Sequence, residues 1–165
     1  MPTEASALIG VALGVFLSWV ATEVTERARF RRARLIHWRD RRVDAYMDFA
    51  IATKKYMALL FRIGSSLDVD SQPEPLSLDE ARQRLAMAFD ERDSAFERMR
   101  LVGSDSLLVA AQVWVDAMWT MRKSLDAPDD LTPERWKALI ENVSAGRSEF
   151  HRLAQLDLDV QLKNS

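Results

Sequence analysis

The sequence predicts an all-α protein, in which an N-terminal transmembrane helix continues as a basic stalk into a cytoplasmic four-helix up-down-up-down bundle. Three observations predict it. Only 5 Gly and 5 Pro occur in 165 residues, too few for the tight turns of an all-β chain. Hydrophobic residues make up 48% and charged residues 29%, enough to bury a core and unlike a disordered chain. The net charge of -2 conceals an uneven distribution. Residues 1–22 carry one charge, Glu4, whereas residues 23–42 hold eight arginines against Glu23, Glu26 and Asp40, a net of +5. Residues 43–165 hold the remaining 15 basic and 21 acidic side chains, a net of -6. An apolar head, a basic collar and an acidic body are three different physical objects.

Residues 1–4 form a stub, and residues 5–22, ASALIGVALGVFLSWVAT, contain no charge. As a helix of 1.5 Å rise they would reach about 27 Å, close to the thickness of a hydrocarbon core. Leu8, Ile9, Val11, Leu13, Val15, Phe16, Leu17 and Val20 favour insertion by about 2.5–5 kcal/mol together. A cleaved signal peptide is disfavoured, because the stub is Met-Pro-Thr-Glu rather than basic, and Trp19 would lie two residues before a cut after Ala21. The arginines all follow the span, so the positive-inside rule places the bundle in the cytoplasm and the N-terminus outside, in a single-pass inner-membrane protein. Ser6, Gly10, Gly14, Ser18 and Thr22 recur every fourth residue and form a ridge of small side chains, the expected helix–helix interface.

In residues 23–42 the apolar side chains scatter around the helix, so the segment reads as a stalk rather than a helix lying in the membrane plane. Arg27, Arg29, Arg31, Arg32 and Arg34 are expected at lipid headgroups. Nucleic acid is not an expected partner, because the acidic body would repel phosphate.

The bundle is expected over residues 43–157, with 158–165 as a tail. Its first helix runs from about Val43 to Ile63 with Val43, Tyr46, Ala50, Thr53, Met57, Leu60 and Phe61 on one face, and Gly64 stops it. A long connection with two prolines, GSSLDVDSQPEPLS, is expected to be mobile. Ser77-Leu78-Asp79-Glu80 is a capping box that opens a second helix to about Val102, with Ala81, Leu85, Ala88, Phe89, Ala95, Phe96 and Met99 buried and Gly103 terminating it. Ser104 caps a third helix, about Asp105 to Leu125, with Leu107, Ala111, Trp114, Met118, Met121 and Leu125 inward and Leu108, Val115 and Trp119 widening the face. Thr132-Pro133-Glu134 opens a fourth, which runs to about Leu156 through Trp136, Leu139, Ile140, Val143, Phe150 and Leu153.

Chemistry is hard to find in this pattern. There is no Cys, and two His residues, His37 and His151, make no Glu-x-x-His pair of a ferritin-like centre. Glu149 and His151 fall on different faces. Asp90, Glu91, Asp93 and Glu97, interleaved with Arg92 and Arg98, read as a solvated face, and Asp116 reads as outward among Gln112, Thr120 and Lys123. No phosphate-cradling glycine loop, Ser/His/Asp arrangement or HExxH motif occurs. No catalytic residue, cofactor, metal or small-molecule substrate is therefore expected, and Trp114, Trp119 and Trp136 read as core residues.

The span, the Arg-rich stretch leading into RRVDAYMDFAIA (41–52), RLVGSDSLLVAA (100–111) and SEFHRLAQLDL (148–158) together resemble small actinobacterial membrane-anchored helical-bundle proteins. The resemblance implies an anchored bundle and transfers no catalytic residue. The expected function is a membrane-anchored, non-catalytic scaffold that binds a protein partner or itself, with membrane lipid as a further partner. The contrasting expectation is a membrane-active effector, holin-like or defence-type, that oligomerises and permeabilises the bilayer.

Overall fold

The computed structural model describes residues 37–163, with side chains described through residue 159. Of the described residues, 41–163 form one compact unit, and the helical residues 37–40 fall outside it. The described residues contain four α-helices and no strand: α1 (37–66), α2 (Leu78–Arg100), α3 (Asp105–Asp126) and α4 (Pro133–Lys163). A single 3-10 turn, Pro128–Asp130, joins the last two.

The expected inner-membrane, single-pass placement needs correction. No helix among the described residues is long and apolar enough to cross a membrane. The segment 5–22, on which that expectation was built, lies outside the described residues.

Each helix of the bundle buries a seam at alternating three- and four-residue steps. In α3 the seam is Leu107, Ala111, Trp114, Met118, Met121 and Leu125, and in α4 it includes Trp136, Leu139, Val143, Phe150 and Ala154. This spacing brings side chains from successive turns to one side, which is how long antiparallel helices interlock. Contacts set the directions. Lys55 pairs with Glu91 and Asp48 with Arg98, so α1 and α2 run oppositely. Tyr46 reaches Asp157 while Phe61 meets Trp136, so α1 and α4 also run oppositely. Phe49 packs on Trp114 at 5.7 Å and on Phe150 at 5.2 Å, bringing α1, α3 and α4 together in one aromatic cluster.

The capping box at Ser77 forms as expected, with the Ser77 amide donating to Glu80 at 3.0 Å and the Glu80 amide returning to Ser77 Oγ. The Ser77 hydroxyl also donates to the Glu80 carboxylate, and this bond, followed by that from the Ser77 amide, holds the carboxyl below the usual carboxylate range. Thr132 likewise accepts from the Arg135 amide at 3.2 Å. Ser104 occupies the N-cap of α3, but its hydroxyl makes no capping bond.

Several boundaries differ from expectation. Gly64 does not stop α1: it lies inside the helix, where the Trp136 indole occupies the space a side chain would need, 2.6 Å from an added Cβ. Gly103 does not adopt the left-handed conformation of a glycine cap, and its amide donates to Met99 in an ordinary closing turn. The helix α4 continues past Leu156 to Lys163. The connection expected to be mobile is held at several points. The Leu76 amide bonds to Arg62 O at 3.0 Å, Arg62 Nε donates to Glu74 O at 2.8 Å, and Trp136 Nε1 donates to Asp70 at 2.8 Å. Leu76 is buried as a result of this looping back.

Candidate functional site

The small-residue ridge, Ser6, Gly10, Gly14, Ser18 and Thr22, and the headgroup arginines, Arg27, Arg29, Arg31, Arg32 and Arg34, lie outside the described residues. The effector reading, which depends on that ridge, lies there too. Two features of the bundle itself bring together the kinds of side chain that bind something.

The first is a groove between α3 and α4. Gly146 on α4 is buried against the α3 backbone, and an added Cβ would approach Trp114 Cα to 2.9 Å. The absence of a side chain there lets the two helices come together. Beside this contact lies an open groove of about 530 Å³, with Ala117, Leu139, Ala145 and Gly146 along its apolar surface and Asp116, Thr120, Asn142 and Glu149 as polar lining. Val113 belongs to the same groove and is 55% exposed, and Val109, one turn earlier, is 65% exposed. An apolar ridge therefore stands next to an apolar trough on one surface.

The polar residues of this groove are partly engaged. Asp116 is exposed, as expected, and accepts from Gln112 at 2.8 Å. Glu149 is exposed and receives two bonds from Arg152 rather than meeting His151, which holds its carboxyl below the usual range. His151 is exposed and lies near Trp114, with its pKa lowered by partial burial and by Arg147. Trp114 is almost wholly buried, yet its Nε1 has no hydrogen-bond partner. Trp136 belongs to the core as expected, but Trp119 does not, being half exposed with Lys123 over its ring.

The second feature overturns an expectation. The seam of α2 is Ala81, Leu85, Ala88, Arg92, Ala95 and Met99. Arg92, expected on a solvated face, is only 4% exposed. The register explains the difference: Arg92 follows Ala88 by four residues and precedes Ala95 by three, so the helix turns it inward with its apolar neighbours. The remaining members of that expected face, Asp90, Glu91, Asp93 and Glu97, are exposed. Phe89, expected inside, is pushed to the margin, where its ring lies 4.5 Å from the Arg92 guanidinium carbon. The Tyr56 ring lies 5.3 Å from the same atom. Burial pulls the guanidinium pKa down and the Tyr56 phenol up, while each moderates the other's shift. Sequence could have located Arg92 by counting the three-four steps through α2, since position 92 is the one gap in an otherwise apolar seam.

A third polar contact joins the ends of α1 and α4. The Tyr46 hydroxyl donates to Asp157, which Arg42 also approaches at 3.4 Å. Burial, followed by the hydrogen bond to Asp157, raises the Tyr46 phenol well above its ordinary value.

The described residues include no group of three or more His, Asp or Glu side chains placed to hold a metal ion. No family model matches the chain, and no curated protein and no solved structure matches it. The segments quoted for the actinobacterial resemblance are packing segments. Phe49 of the first meets Phe150 of the third, and the second carries Leu107 and Ala111 into the core.

Proposed function

We propose that this chain is a non-catalytic helical interaction module that binds a second copy of itself through the surface of α3 and its groove with α4. One observation carries the reading. The exposed Val109–Val113 ridge lies beside a trough lined by Ala117, Ala145 and Gly146. A two-fold axis near Val113 would lay the ridge of each copy into the trough of the other, the self-complementary arrangement of a symmetric dimer. Val109 and Val113 are already partly buried, so covering what remains exposed would contribute about 1 kcal/mol apiece. Asp116 would stand at the polar rim, where charge sets register more than affinity.

The absence of cysteine makes the test clean. Single-cysteine variants of the full chain, Val113→Cys and Ser94→Cys, would be treated with a short bismaleimide in the cells that express them. Position 94 is exposed on α2, away from the groove. The expected result is a covalent dimer from Val113→Cys alone, lost when Ala117→Arg is added. Equal crosslinking at both positions, or none at position 113, would overturn the proposal.

A further inference from the structure

The guanidinium of Arg92 lies in the core seam of α2 with no carboxylate within ion-pair distance among the described residues, while every other arginine of α2 except Arg84 meets an acid. Arg82 bonds to Asp79, Arg98 to Asp48 and Arg100 to Glu97. A buried cation without an anion is costly, and ring faces offset only part of that cost. Phe89 and Tyr56 cover its π surface, but they leave its N–H donors, which lie in the guanidinium plane, unsatisfied by any described side chain.

Neighbouring groups add to this. The Tyr56 hydroxyl makes no side-chain hydrogen bond among the described residues, although Tyr56 is only 2% exposed. Arg122 on α3 acts electrostatically on the same phenol, and its own charge is shared with Asp126, to which it is hydrogen-bonded. Among the described residues the fully enclosed, unpartnered side-chain polar atoms are Thr53 Oγ1 and Trp114 Nε1, and neither the Arg92 nitrogens nor the Tyr56 oxygen is one of them. Neither group is therefore fully sealed from solvent at its polar end.

We propose that Arg92 and Tyr56 form a binding site for a small monocarboxylate, seated between α1, α2 and α3. The fork of Arg92 would hold both carboxylate oxygens, and the Tyr56 hydroxyl would donate to one of them, a charge-assisted arrangement favoured by fixed planar geometry. A monoanion fits better than a dianion. Arg122 is already matched by Asp126, and Arg92, unpaired but within the field of Asp93, offers no more than one positive charge. The near-complete burial of both residues favours a small ligand. This inference stands independently of the proposed dimer, because Arg92 on α2 and Tyr56 on α1 line no part of the α3–α4 groove.

The experiment is a thermal melt and a calorimetric titration of the full chain with acetate, against chloride at equal ionic strength and against inorganic phosphate. Acetate several-fold above its Kd should raise Tm by about 2–4 °C over chloride. Phosphate should give less than acetate. In Arg92→Met, which fills the seam without a charge, the acetate shift should vanish. Tyr56→Phe keeps the ring over Arg92 and removes only the hydroxyl, so a several-fold weaker Kd should result. No shift over chloride in the wild-type chain, or the same shift in Arg92→Met, would overturn the proposal. A larger shift with phosphate than with acetate would overturn the assignment of a monocarboxylate.

Discussion

The helices α2 and α3 are built on the same spacing and bury seams of similar length, yet they pack in different ways. The seam of α3 is filled by Leu107, Trp114, Met118, Met121 and Leu125, and Gly146 of α4 lies against its backbone. Half of the α2 seam is alanine, with Arg92 in its middle. Large apolar side chains and a missing Cβ bring α3 and α4 into tight apolar contact. Small side chains on α2 leave space that a long, charged side chain fills, with aromatic rings covering its flat faces. Periodicity alone decides which positions turn inward, whereas side-chain volume decides whether the resulting interior is dry or contains a functional group.

Substitutions can separate these two kinds of packing. The largest effect belongs to the α3–α4 contact. Gly146→Val would place atoms against the Trp114 backbone, which cannot move without shifting the helix, and should destabilise the protein by about 3 kcal/mol. A chemical denaturation curve measures this, and an unchanged midpoint would mean that the two helices are not held together as closely as their contact implies.

An intermediate effect is expected where α1 meets α4. Tyr46→Phe removes the bond to Asp157 and should cost about 1 kcal/mol at neutral pH. The raised phenol pKa gives a sign as well. A group that holds its proton more tightly when folded contributes fully below its unfolded pKa, near ~10, and loses that contribution as pH rises further. Wild-type stability should therefore fall above about pH 10, and the fall should be shallower in Tyr46→Phe. Tyr56, whose phenol is also raised, keeps part of the alkaline dependence in both proteins.

The smallest effect is expected in α2. Arg92→Met loses cation–π contacts of about 0.5–2 kcal/mol and relieves a desolvated charge of comparable size, so stability should change by no more than about 1 kcal/mol. A loss similar to that from Gly146→Val would show that Arg92 holds the bundle together, and would erase the distinction between the two seams.

Much of the bundle is legible in the sequence because capping and periodicity are local. Ser77 with Glu80 and Thr132 with Pro133 mark helix starts that the structure reproduces, and the inward face of α3 can be read from its spacing. What escapes the sequence depends on distant neighbours. Gly64 looks like a stop signal until Trp136 occupies the space above it. The looped connection before α2 looks mobile until Arg62 and Trp136 bind it. The groove arises from Gly146 meeting Trp114 across 32 positions of chain, a closeness that no local pattern encodes. Arg92 was within reach of counting, but its alternation with acids concealed the seam. The small-residue ridge and the headgroup arginines lie outside the described residues.

That dimer is the central claim, and its most direct test is the mass of the full chain by sedimentation velocity, compared between wild type and Val113→Asp. Position 113 is exposed, so the substitution leaves the fold of a single copy intact. The account predicts that the wild-type chain sediments as a dimer and Val113→Asp as a monomer of 18.9 kDa. The same mass for both proteins would contradict it.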